Sequence, residues 1–302
     1  MEKNNRISHL LLAITALLWG LAFHSAKIAM LNASPIMVAS LRFGFASIFA
    51  LILFKVEANG KPLSEIDRKN WFYLFWMSFF GIFIYNLFFF EGLMRTSAVS
   101  GSLIAGSNPG ITALISVLLG LEVLSKKNWL GIFVSFLGVF VLITQGSLER
   151  LTTLNIGKGE LLLICASISW AIYAIIGRKV MKEVPANLAS GLSICIGTVL
   201  LFPLLIVRDG FDSLKTIPGL DETYFWLSIA YMGIFASVFA FRFWNIGVSS
   251  LGPARTSIYV NLVPIATAII GIFAGESLSA QQYVGGGLIL SGVYLTTKRA
   301  TR

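Results

Sequence analysis

Long apolar runs alternate with short polar breaks along the whole chain. Ten runs of roughly 20 residues lie at 9–30, 35–54, 70–90, 97–119, 128–146, 159–177, 186–207, 223–244, 252–274 and 282–297. Each run is continuous and shows no alternation at period two, so the pattern predicts helices, not strands. About 20 apolar residues in a helix match the hydrocarbon thickness of a bilayer. The expected fold is therefore an all-α integral membrane protein with ten transmembrane helices.

Two of the runs are interrupted in a similar way. "SLIAGSNPGITALI" (102–115) holds Asn108 and Pro109, and "SIYVNLVPIATAII" (257–270) holds Asn261 and Pro264. Proline removes a backbone donor and kinks a helix, while a buried amide needs partners. Such breaks are tolerated at membrane depth only against protein or a water-filled space.

The breaks belong to an internal repeat. At an offset of 155, Trp71 meets Trp226, Gly92 meets Gly247 and Pro109 meets Pro264. "LEVLSKKNWLG" (121–131) aligns with "GESLSAQQYVG" (275–285), which pairs Glu122 with Glu276 and Trp129 with Tyr283, and Gly131 and Gly138 then fall on Gly285 and Gly292. At an offset of 151, "LLWGLAFHSAK" (17–27) falls on "ISWAIYAIIGR" (168–178), pairing Trp19 with Trp170 and Lys27 with Arg178. The chain divides into a first repeat, 9–146, a linker, 147–158, and a second repeat, 159–297. Five spans per repeat make the second enter the membrane from the opposite face. Inverted repeats place substrate sites near the midplane, between the halves, beside interrupted helices. Pro109 and Pro264 are the expected hinges.

Composition sharpens the membrane reading. Of 302 residues, 56% are hydrophobic and 12% charged, with a mean hydropathy of +0.82. Soluble domains carry about 25% charged residues. The net charge of +9 reports topology: with the N-terminus in the cytoplasm, fifteen Lys and Arg lie inside and six outside. That asymmetry fits the positive-inside rule with both termini cytoplasmic, and nucleic-acid binding is not expected. The first run exceeds a signal-peptide core and reads as an uncleaved anchor. Cys165 and Cys195 form no metal or disulfide motif and read as small core residues. No GxxxxGK[ST] motif occurs, which excludes nucleotide hydrolysis by this chain.

"LLWGLAF", "SLRFGFA", "EGLMRTSAVSGSLIAGSNPGITALISVLLGLEVLS" and "GPARTSIYVNLVPIATAIIGIFAGESLS" together resemble the drug/metabolite transporter superfamily, specifically its EamA-type transporters. The resemblance covers nearly the whole chain. It implies a secondary transporter of the cell membrane that moves an amino acid or similar small solute, usually outward, by alternating access and with no cofactor. Import is the minority case. The partners expected are a small-molecule substrate and the bilayer; a homodimer is left open.

Several residues are candidates for a substrate site. Arg42, about 10 Å into the second span at 1.5 Å per residue, is either a fork for a substrate carboxylate or an internal brace on helix carbonyls. Asn108 and Asn261 could bind substrate or join helices. Trp19, Phe23, Phe90, Trp170, Tyr173 and Tyr259 could form aromatic walls. Trp71, Trp129, Trp226 and Tyr283 read as interfacial anchors. His24, Glu91, Glu122, Glu160 and Glu276 are the ionisable candidates for proton coupling, with Glu122 and Glu276 expected to be structural. An intramembrane lipid-modifying enzyme would need converging nucleophile, base or metal ligands, which two histidines 15 residues apart do not supply. A channel would show a filter or a charged ring, and neither is present.

Overall fold

The computed structural model describes residues 2–57, 63–120, 125–144 and 157–297, and these are helical almost throughout. Helix α1 spans Glu2–Ala29, α2 Pro35–Glu57, α3 Arg68–Met94 and α4 Ala98–Leu118. These are followed by α5, Lys126–Thr144, α6, Lys158–Val180, α7, Ala186–Asp209, and α8, Thr223–Leu251. Element α9 is built of consecutive pieces, Pro253–Ser257, Ile258–Asn261 and Leu262–Phe273, and α10 spans Ala280–Thr297. Among the described residues, seven helices (α1 to α4 and α6 to α8) are long and apolar enough to cross a membrane. The linker 147–156, Glu122 and the side chain of Arg255 lie outside the described residues.

The packing repeats itself across the two halves. α1 packs on α8 and α9, as α6 packs on α3 and α4. α2 packs on α7, and α5 pairs with α10. Matched residues therefore meet one another: Ser47 Oγ lies 2.7 Å from Thr198 Oγ1, and the Trp19 and Trp170 rings stand edge to face with centroids 5.2 Å apart. At the α5–α10 seam, a Cβ on Gly138 would sit 2.5 Å from the Gly285 carbonyl oxygen, and one on Gly292 would sit 2.5 Å from that of Gly131. Only glycine allows backbones this close, which explains the seven-residue glycine spacing.

Both expected interruptions occur. In α4 the helix Ala98–Ala105 stops, turns through Gly106 and Ser107, and restarts at Asn108 with Pro109 in its first turn. Proline suits that position because the first-turn N–H has no helical acceptor. In α9 a 3₁₀ stretch, Ile258–Asn261, precedes the restart at Leu262, and Pro264 follows two residues later.

A second pair of irregularities has no proline and no sequence warning. Phe79–Ile84 in α3 and Ile234–Phe239 in α8 are π-helical, at the same offset of 155 as the repeat. The wider turn leaves carbonyls free of the normal ladder.

Cys165 corrects the sequence reading. It is exposed on the outside of the bundle, and Cys195 is only half-buried, so neither is a packed core residue. An apolar thiol can face lipid as readily as protein.

Candidate functional site

Between the halves lies a cavity of about 560 Å³ of atom-free space, its mouth included. α1 contributes Trp19, Ala22 and Phe23, and α2 contributes Arg42. Tyr85 and Phe89 come from α3, and Ala105 and Asn108 from either side of the break in α4. The second half adds Ser167, Trp170, Phe241, Val260 and Val263. The walls are apolar and aromatic, with a few polar groups converging on them, as small-molecule sites generally are.

Arg42 is the one charged group on this lining, and it is only 4% exposed. The π-helical segment of α8 anchors it: Arg42 Nε donates to Ser237 Oγ at 2.9 Å and Nη2 to the Ala236 carbonyl at 3.3 Å. Trp19 Nε1 donates to that same freed carbonyl at 3.0 Å. The guanidinium carbon also lies 5.0 Å from the Phe43 ring centroid and 6.0 Å from that of Phe90. Arg42 has no carboxylate partner among the described residues. A buried cation held by neutral groups on one edge, with donors left on the other, suits an anionic ligand group.

Asn108 is partly committed. Its Nδ2 donates to the Ser167 carbonyl at 2.9 Å, tying α4 to α6, and its Oδ1 accepts from Thr112 Oγ1 at 3.1 Å. Both brace and ligand roles are open to it, because an amide has further donor and acceptor capacity.

The other expected site residues lie elsewhere. Phe90 is fully buried behind Arg42, and its neighbour Phe89 lines the cavity instead. Tyr173 is fully buried one layer back, stacked on Trp170 at 4.8 Å and receiving a hydrogen bond from Asn245 Nδ2 at 2.8 Å. Tyr259 is half-buried and pairs through its hydroxyl with His9 Nδ1 at 2.5 Å. Asn261 is off the lining too, and its Oδ1 is buried with no hydrogen-bond partner among the described residues. Pro109 and Pro264 sit behind the wall, where Pro264 Cγ would be 3.0 Å from a Cβ on Gly106. Tyr85 and Phe241, absent from the sequence reading, flank Trp170 at centroid distances of 5.2 and 5.3 Å.

The ionisable candidates also separate. Glu91 bridges Arg95 at 2.6 Å and pairs with Arg208, joining α3 to α7. His24 and Glu276 meet each other. No group of three or more His, Cys, Asp or Glu that could hold a metal is present among the described residues.

A bundle of apolar helices built of two matched halves around a shared cavity defines the class of multi-pass membrane proteins. The sequence model of the EamA-like transporter family matches residues 6–144 and again 157–298, so the chain belongs to that family. It is 36% identical over 275 residues to the uncharacterized transporter YyaM of Bacillus subtilis (strain 168), covering 91% of this chain and 88% of that one. An uncharacterized transporter of Archaeoglobus fulgidus is 28% identical over 298 residues, covering 98% and 99%. A solved crystal structure shares the fold with a TM-score of 0.67 at 19% identity, over 96% of both chains. The protein is thus a membrane transporter of the EamA family.

Proposed function

We propose that this protein is a secondary carrier that exports a small metabolite bearing a carboxylate and an apolar or aromatic portion, an amino acid or similar solute, by alternating access. Ten membrane spans in two inverted repeats, 9–146 and 159–297, with both termini cytoplasmic, form its framework in the cell membrane. The single observation that carries the substrate class is Arg42: a buried cation on the cavity wall, lacking a carboxylate partner among the described residues. In this reading the solute supplies that carboxylate and lays its apolar portion against Trp19, Phe23 and Trp170. Asn108 and the half-helix ends in α4 and α9 add polar contacts. Outward direction follows the family resemblance of the sequence.

The test is a comparison of extracellular metabolites from cells with and without the protein, followed by uptake of the identified solute into inverted vesicles. Saturable movement of a carboxylate solute, competed by its analogues and lost when the carboxylate is amidated, is the expected result. Equal movement of the amidated solute would remove Arg42 as its anchor.

A further inference from the structure

Away from the cavity, one titratable pair joins the halves at the far end of α1. His24 is buried, and its Nε2 lies 2.9 Å from the carbonyl oxygen of Thr267 in α9. A carbonyl oxygen only accepts, so Nε2 carries a hydrogen. The other ring nitrogen, Nδ1, is 3.4 Å from Glu276 Oε1. That contact is attractive only when one proton resides on the pair, as imidazolium with carboxylate or as imidazole with carboxylic acid. With that proton gone, a lone pair on Nδ1 faces a carboxylate.

The backbone aims Glu276 at this contact. Gly275 adopts φ of +86°. Its N–H bonds the Ile272 carbonyl at 3.0 Å, and the Glu276 N–H bonds that of Gly271 at 2.8 Å. These are the two hydrogen bonds of a Schellman turn, which folds the residue after the glycine back along the helix. The seam below is tight: a Cβ on Gly20 would come 2.5 Å from Ala266 Cβ, and Thr267 Oγ1 donates to the Gly20 carbonyl at 3.2 Å.

Other charges near the pair are few. Lys27, half-buried one turn along α1, interacts electrostatically with Glu276. α4 carries no titratable residue. α9 carries only Arg255 and Tyr259, and α10 only Tyr283 and Tyr294. α8 brings Tyr224, Arg242 and Tyr231, whose hydroxyl donates to the Leu18 carbonyl. From α3, Glu91 is taken up by Arg95 and Arg208, while Arg68, Lys69, Tyr73 and Tyr85 lie further along that helix.

We propose that His24, Glu276 and the Thr267 carbonyl form a one-proton site that latches the α1–α9 seam. The same two helices supply Trp19, Phe23, Val260 and Val263 to the cavity wall. A proton taken from water at this end closes the seam, and its return to water lets the helices part. The latch deepens the carrier reading and rests on it, because a moving seam matters only to a protein that opens.

The experiment needs no solute, so its outcome is independent of whether the substrate assignment holds. In the full-length protein, with Cys165→Ser and Cys195→Ser, spin labels go on Leu31→Cys and Phe273→Cys, 82% and 88% exposed at the ends of α1 and α9. Distances are measured by pulsed EPR in lipid nanodiscs at pH 5 and pH 8. The long-distance population should rise at least about threefold at the higher pH. Glu276→Gln, whose amide donates to Nδ1 without titrating, should hold the short distance at both values. Glu276→Ala should show the long distance at both. A pH-independent parent distribution, or variants that both follow the parent, overturns the latch. Both variants shifting in the same direction would also overturn it.

Discussion

Arg42 shows how one residue can serve both readings that its sequence position allows. Two of its donors are spent on Ser237 and the Ala236 carbonyl. That bracing fixes the guanidinium and leaves its other donors uncommitted, so in the proposed site brace and fork are one arrangement. Hydrogen bonds to charged groups contribute about 1.5–3 kcal/mol, so Arg42→Gln should weaken apparent substrate affinity by roughly 10- to 150-fold. Arg42→Lys should recover little of this, since an ammonium cannot bond Ser237 and a carboxylate in the same planar fork. Transport kinetics normalised to inserted protein, with affinity separated from maximal rate, decide the matter; an unchanged affinity in Arg42→Gln would disqualify it as the anchor. Arg42, Trp19, Phe23, Asn108 and Trp170 are legible in the sequence because each is a polar or aromatic residue that stands out in an apolar run. The sequence points to Phe90 where the structure lines the cavity with Phe89, for a physical reason. Each helical residue turns about 100°, and the π-helical stretch just before adds a residue to the turn, rotating the face that follows. Similarly, the His24–Glu276 contact spans 252 positions of sequence, and no local pattern announces it.

At the scale of elements, the runs and their prolines were readable because bilayer thickness and the missing proline N–H leave local marks. The π-helical segments left none. Their cause lies in tertiary packing: Ser169 Oγ donates to the Phe80 carbonyl at 2.7 Å, and Arg42 and Trp19 bond that of Ala236. A single position tests the first of these segments. A Cβ on Gly81 would fall 2.0 Å from Tyr173 Cδ2, on a ring held by Trp170 and Asn245. Gly81→Ala should therefore cost about 1–3 kcal/mol, as overpacking does, and lower the Tm in detergent by several degrees. A Tm equal to the parent's would mean that the Tyr173 ring moves freely. The breaks in α4 and α9 predict the opposite pattern. Pro109→Ala and Pro264→Ala restore an N–H and allow the helices to run straight, so inserted abundance should stay near the parental level while maximal transport falls. If both variants transport at the parental rate, the breaks serve packing alone. Asn108→Leu removes the bridge to the Ser167 carbonyl, and it should weaken affinity more than abundance.

For the whole molecule, what matters is how two like halves sit in one membrane. Matched residues touch between the halves at Ser47–Thr198 and Trp19–Trp170, and the matched glycines of α5 and α10 meet crosswise, Gly138 on Gly285 and Gly292 on Gly131. In the proposed arrangement, two five-span repeats related in this way enter the bilayer from opposite sides. On the proposed carrier reading, the cavity they share opens to either face by rocking one half against the other. In that arrangement the charge distribution chooses which face is which, since ten spans put fifteen Lys and Arg on the side of the termini against six on the other. Two exposed loop positions report the outcome. Leu220, 88% exposed between α7 and α8, should be extracellular, and Lys182, exposed between α6 and α7, should be cytoplasmic. With Cys165→Ser and Cys195→Ser as background, an impermeant thiol reagent applied to intact cells should label Leu220→Cys and leave Lys182→Cys untouched until the membrane is opened. The reverse pattern would invert the molecule, moving the His24–Glu276 pair to the cytoplasmic face. Labelling of both from outside would show that α7 does not cross, and with it the ten-span, inverted arrangement would fall.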